Sequence, residues 1–265
     1  FYVLFFLVSI LNGCGKGTLE MDYPETKKLD LAETFFGETI EDPYRWLEDF
    51  TSTESREWVE KQNILTDKFL SNPHQKRIKK ELEDIWVSDQ ISIPYKKGSK
   101  TFYFFSDGKK QQSVFMVRGC DDCEAKVLLD PNNFSNDGTI SLGDVSVSPD
   151  GKKIAYSISD GGSDWRTWKV MDIETKEELV DKIEWSKFSY ATWESDSSGF
   201  YYQKYKKPDE ALADVNRSPQ LYFHKLSEAQ KEDKLIYQDE QNPDRSWSIS
   251  VPEEGSYRVL SIGEG

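Results

Sequence analysis

Few residues in this chain are equipped for chemistry. Two histidines, His74 and His224, supply its imidazoles, and Cys14, Cys120 and Cys123 are its thiols. The segment Gly161-Gly162-Ser163-Asp164-Trp165 has the look of a nucleophile turn, but a Ser-His-Asp relay needs an imidazole within reach of Ser163. Neither histidine lies in a context that brings it there, so the segment reads as an inter-strand turn carrying a buried or rim tryptophan. His74 follows Asn72-Pro73 among basic neighbours and reads as an exposed residue near a helix cap. No Gly-x-Ser-x-Gly elbow, His-Glu-x-x-His or Gly-x-x-x-x-Gly-Lys loop occurs, so a self-contained hydrolase or nucleotide site is not expected.

Cys120-Asp121-Asp122-Cys123 lies between the strand-like runs Val114–Val117 and Lys126–Leu129 and therefore occupies a hairpin turn. Two thiols make half a zinc site, and two histidines do not complete one, so neither a metal nor another cofactor is expected. A turn disulfide and a pair of free thiols both remain open, and neither carries a catalytic role. The formal charge of −14 disfavours a phosphate backbone as partner, which excludes a nucleic-acid binder.

Residues 1–11 carry no charge. At helical rise they cover about 17 Å, roughly half a bilayer core, and so have the length of a secretory leader rather than of a span. Leu11-Asn12-Gly13-Cys14 resembles the bacterial lipobox, in which cleavage precedes the cysteine and its thiol takes the lipid. Residues 1–13 are therefore read as a signal peptide truncated at its start, with Cys14 as the lipidated residue. The alternative is an ordinary signal peptide with an incidental cysteine. The expected location is outside the cytoplasm, periplasmic or held to a membrane through that lipid.

Residues 14–88 read as a helical arm. Pro43 behind Asp42 opens a short helix, and Thr51-Ser52-Thr53 caps a second whose Trp58, Leu65 and Phe69 share a face. Asn72-Pro73 ends that helix and starts a third, striped by Ile78, Leu82 and Ile85. Trp46 and Trp58 read as core residues.

From residue 89 the period changes to that of strands. Gly98, Gly151, Gly199 and Gly255 each precede an aromatic or β-branched run, and they are roughly 50 residues apart, which suits one four-stranded blade per repeat. Ser148-Pro149-Asp150-Gly151 and Ser195-Asp196-Ser197-Ser198-Gly199 are expected to form the turns before the third strand of their blades. The fold class is mainly β. Residues 89–265 hold material for about three and a half blades, fewer than the four to eight of a closed propeller. The reading is a chain cut at both ends.

The motifs converge on one resemblance. Glu41-Asp-Pro-Tyr-Arg-Trp-Leu-Glu-Asp49, Trp58-Val-Glu-Lys-Gln-Asn63, Leu129-Asp-Pro-Asn132, Asp137-Gly-Thr139, Gly162-Ser-Asp-Trp165 and Lys187-Phe-Ser189 together resemble the N-terminal third of a prolyl oligopeptidase, from about Tyr23 onward. The Asp-Pro-Tyr-Arg-Trp-Leu stretch is also similar to oligopeptidase B. The resemblance implies a seven-bladed propeller inserted into an α/β-hydrolase domain, of which the helical arm is the first part and the rest is missing. It implies a serine peptidase that hydrolyses short peptides after proline, with the propeller as a size-selecting lid.

On this reading the Ser, Asp and His of the triad fall in the missing domain, so no catalytic residue is assigned and the fragment is expected to be inactive. Phe188 matches a family aromatic lining the S3 subsite, while other positions of that pocket fall near Asn216 and Ile236, a departure from the sulfur side chains common there. Asp164 and Trp165 match a motif on the inner rim near incoming peptide, with a structural turn as the equal alternative. The expected partners are short proline-containing peptides and the missing hydrolase domain. A stand-alone propeller lipoprotein that binds without catalysis is the rival of a different class, and the uncovered apolar faces of the arm argue against it. Expressed alone, residues 14–265 are expected to aggregate or stay partly folded, and cooperative two-state unfolding of a soluble chain would favour that rival.

Overall fold

The structure is a computed structural model that describes residues 22–207 and 217–264. The leader, Cys14 and Asn216 lie outside the described residues. The chain divides into two compact units after Asp84.

The first unit opens with a hairpin, β1 (Ala32–Phe35) and β2 (Glu38–Glu41), which the sequence reading takes as part of a helical arm. Its strands are largely exposed and polar, so they lack the apolar alternation that marks a half-buried strand. The tip places Phe36 at φ 53° and Gly37 at φ 88°, both left-handed as the tight hairpin turn requires. The helix expected from Pro43 is realised only as a 3-10 turn, Arg45–Glu48, whose arginine is held by Glu33 at 2.8 Å and by Asp42.

Helix α1 (Thr53–Leu70) starts at Ser52, whose hydroxyl accepts the Ser55 amide at 3.1 Å. Helix α2 (Pro73–Trp86) follows, with Asn72 accepting from the Gln75 amide at 3.0 Å. Trp46 and Trp58 are half-buried and donate to the Lys27 carbonyl at 3.0 Å and Thr26 at 2.9 Å. Much of the apolar surface of these helices is exposed, including Val59, Phe69, Ile78, Leu82 and Ile85.

The second unit is a series of antiparallel blades. The first holds β3 (Gln90–Ile91), β4 (Tyr95–Lys97), β5 (Lys100–Ser106), β6 (Val114–Arg118) and β7 (Lys126–Leu129). The second holds β8 (Ile140–Val147), β9 (Lys153–Asp160), β10 (Arg166–Asp172) and β11 (Glu178–Ser186). The third holds β12 (Thr192–Trp193), β13 (Gly199–Lys204), β14 (Gln220–Lys225) and β15 (Lys234–Tyr237), and β16 (Arg245–Ser250) pairs with β17 (Val259–Glu264) as a fourth, two-stranded sheet. A single strand pair, Ser186 with Lys204, joins the second and third blades into one sheet. The turns at Gly151 and Gly199 stand before the second strand of their blades, not the third: the inner strand ahead of Gly199 is two residues long, and that ahead of Gly151 shifts register between Leu142 and Val145, so neither carries a clean period of its own.

The core lies in the seams between blades. Side chains alternate sides along a strand, so one strand feeds two seams. Ile154 and Tyr156 of β9 pack with Phe102, Phe115 and Leu129 of the first blade, while Ala155 between them packs with Trp193 and Phe200 of the third. Phe200 and Tyr202 of β13 face back toward Trp168 and Ile183, while Tyr201 faces Trp247 of the fourth. The inner turns meet across the seams as well. A Cβ on Gly98, at φ 55°, would stand 2.5 Å from the Asp150 carbonyl oxygen, so this crossing accepts only glycine.

The seam between the second and third blades holds a buried charge network. His224 of β14 is fully buried, with Nε2 2.9 Å from Asp181 of β11 and Nδ1 2.7 Å from Asp233. Both ring nitrogens face carboxylate oxygens, so both must donate and the ring is an imidazolium. Burial opposes that charge, but hydrogen bonds and the negative charge of both carboxylates outweigh it and push the group up to about 9. Burial likewise works against the Asp181 carboxylate, and the His224 and Ser227 hydrogen bonds hold it below its ordinary value. The folded value of His224 exceeds the ordinary 6.5, so its stabilisation is complete below about pH 6.5 and is lost as pH rises through about 9. Thermal melts of the full-length protein are therefore expected to weaken over this window by an amount on the order of 3 kcal/mol. His224→Gln should be destabilised at pH 6.5 and lose the slope; a variant that keeps the slope would refute the assignment.

Candidate functional site

At one end of the blades, the loop from β11 to β12 meets the turn from β9 to β10. Ser186 and Ser189 bracket the excursion Lys187-Phe188 and tie it to a single residue of β13. The Ser186 hydroxyl donates to the Gln203 carbonyl at 2.8 Å, and the Gln203 amide donates to Ser189 Oγ at 2.7 Å. Trp168 Nε1 adds a third anchor by donating to Ser186 Oγ at 3.0 Å.

With both ends pinned, the two residues between them are forced into unusual positions. Phe188 sits at φ 52° with its ring 60% exposed, whereas Lys187 is buried. A register shift where β11 passes β10 puts Trp185 at φ 61°, also left-handed. Such a conformation costs a bulky residue on the order of 1–2 kcal/mol, and a large aromatic persists in it only when the surroundings fix it.

The opposing turn carries Gly161 and Gly162 at φ 58° and 75°, then Ser163, Asp164 and Trp165. Ser163 Oγ accepts the Trp165 amide at 3.1 Å, which caps the turn, and His224 is committed to Asp181 and Asp233. Ser163 is thus a turn residue. The turn delivers Trp165 edge-on to Trp185 at 5.7 Å and to Tyr205 at 6.3 Å between ring centres. Burial pushes the Tyr205 phenol up. Beside it, Trp165, Arg166, Thr167, Glu184 and Trp185 line a shallow cleft of about 170 Å³.

Lys187 joins the two loops. Its ammonium lies 4.9 Å from the Trp165 ring centre, 5.3 Å from that of Phe188 and 3.8 Å from Asp164 Oδ2. Lys207 stands 5.3 Å from the Trp185 ring centre. The arrangement is an aromatic rim with cations set on its faces. It offers flat apolar area flanked by cationic donors.

The structure brings Phe188, Asp164 and Trp165 together through Lys187. It places Ile236 on β15, the outermost strand of the third blade. Cys120 and Cys123 are bonded to each other in the exposed β6–β7 turn, on a different hairpin from this rim. Trp185, Tyr205 and Lys207 carry no signal in the sequence, because the bulge that aims Trp185 is a tertiary event. Lys187 was visible in its motif, but only its burial gives it a role.

Comparison with known proteins gives the chain its place. The sequence signature described as "Prolyl oligopeptidase, N-terminal beta-propeller domain" matches residues 23–265. The chain belongs to this family. A prolyl endopeptidase of Elizabethkingia miricola is 40% identical over 244 residues, covering 91% of this chain and 34% of the relative. A prolyl oligopeptidase A of Galerina marginata is 31% identical over 254 residues, covering 84% and 34%. The chain therefore spans about a third of the length of the curated relatives it matches.

Among solved structures, one from work on two prolyl endopeptidases and their inter-domain dynamics superposes with a TM-score of 0.79 at 29% identity, covering 91% of this chain and 36% of that one. Prolyl oligopeptidase B of Galerina marginata, bound to a 35mer hydrolysis and macrocyclization substrate, gives 0.75 at 27% identity, covering 91% and 37%. The open series of blades is the N-terminal part of a prolyl oligopeptidase propeller.

The exposed Phe188 ring contributes little to packing, and its backbone is left-handed. Phe188→Gly is therefore expected to change the stability of the full-length protein by less than about 1 kcal/mol, relief of strain offsetting the added freedom of the unfolded chain. A loss above about 2 kcal/mol in thermal or urea unfolding would show that the ring serves the fold.

Proposed function

We propose that this chain is the N-terminal third of a serine endopeptidase that cleaves short peptides after proline, with its blades forming part of a lid over a separate catalytic domain. The family match along residues 23–265 carries this reading. The exposed apolar helices of the first unit support it. Leu47, Phe50, Trp58 and Val59 contribute to a largely apolar groove of about 540 Å³ there, a surface suited to burial by a hydrolase domain.

In the complete enzyme a serine attacks the carbonyl of the bond after proline. A histidine takes its proton and later returns it to the leaving amine, an aspartate orients the histidine, and water resolves the acyl-enzyme. These three residues belong to the catalytic domain, and this chain alone is inactive. What the chain supplies is access and subsite contact: Phe188 lines S3, and Asp164 and Trp165 border the peptide's path. The lipobox-like Leu11–Cys14 adds export and membrane attachment through a lipid on Cys14. Labelled palmitate should enter the wild-type protein and not Cys14→Ser.

Activity of the full-length protein decides the main reading. A serine-directed fluorophosphonate should label it, short blocked peptides should be cut after proline, and folded proteins should be spared. Cleavage after Lys or Arg would instead place it with oligopeptidase B. Absence of both labelling and hydrolysis would leave a binding propeller.

A further inference from the structure

We infer that Lys187 is the positioning residue of the peptide rim, a cation that clamps the Phe188 loop to the Asp164-Trp165 turn and so fixes the Phe188 ring for substrate. The inference rests on the S3 reading of Phe188 and assigns how that subsite is held. The hydrogen bonds of Ser186 and Ser189 to Gln203 fix the backbone of the excursion and make no contact with the ring of Phe188. The fixed backbone narrows the χ1 rotamers open to Phe188 but does not hold the ring in one of them.

The ammonium of Lys187 supplies that restraint. It sits over two rings at once, at 4.9 Å from Trp165 and 5.3 Å from Phe188, each within the range of cation–π attraction. Its side chain is only 11% exposed, so the attraction acts with much of the water removed, and Asp164 at 3.8 Å balances the charge without drawing it off the rings. Among the described residues no acceptor lies within hydrogen-bond distance of this ammonium.

The rim is thereby closed by electrostatics between two separate loops. Trp165 is itself braced edge-on by Trp185 and Tyr205, so the clamp fastens Phe188 to a rigid partner. Lys187 touches no reacting atom. It acts through Phe188 on the binding of substrates long enough to reach that ring.

The test uses the full-length enzyme and two blocked peptides, one with an aromatic residue two positions before the proline and one ending short of it. The readout is the ratio of their kcat/KM values. Lys187→Met keeps the stem and removes the charge, and it should lower this ratio by roughly tenfold through KM of the longer peptide, with Lys187→Arg restoring it to within about threefold. Phe188→Ala gives the loss expected when the ring itself is gone. If Phe188→Ala lowers the ratio and Lys187→Met does not, the clamp is refuted and the subsite stands. A ratio that Lys187→Arg fails to restore also refutes it, since packing rather than charge would then matter. If Phe188→Ala leaves the ratio unchanged, the S3 reading fails and the clamp falls with it.

Discussion

The second and third blades of this molecule are apolar on both faces, and much of the remaining architecture follows from that requirement. A sheet with two apolar faces cannot end at water on either side, so each blade is stable only between neighbours. The alternation along β9 and β13 shows how the condition is met residue by residue: Ile154 and Tyr156 serve one seam, Ala155 the next. The inner turns can then cross as closely as Gly98 and Asp150 do, because the seams have already fixed the distance between blades. The loops at the opposite end inherit the same rigidity.

That rigidity explains how the rim can hold residues in costly conformations. Trp185 and Phe188 both occupy left-handed backbone, and both lie beside strands fixed by the seam between the second and third blades. Their rings would gain more freedom on ordinary loops. Here the bulge in β11 and the paired anchors on Gln203 spend the stability of the seam on aiming aromatic surface outward. The same seam carries His224, so one buried charge and two left-handed aromatic residues share a boundary.

Much of this was legible in the residues. Ser52 and Asn72 declared the helix starts, because capping is a local hydrogen bond between near neighbours in sequence. The four glycine-led phrases declared the blades, since a turn followed by alternating apolar residues is again local. What the sequence hid was tertiary or unpatterned. The β1–β2 hairpin is polar and exposed, so no period betrays it. The inner strand β12 is two residues long and β8 breaks register between Leu142 and Val145, which displaced the expected position of the turns by one strand. The rim was read only in part, through the motifs of Asp164, Trp165 and Phe188. The role of Lys187 depends on a ring 22 residues away in sequence, and that of His224 on carboxylates at separations of 43 and 9.

The double commitment of His224 has a chemical consequence. An imidazole that donates from both nitrogens has no lone pair to offer, and this one has no surface either. In the folded protein, an acylating reagent selective for imidazole finds His74 exposed and His224 closed to it. Labelling of His224 therefore requires the two blades to part, which makes this buried ring an intrinsic reporter of the seam's opening rate.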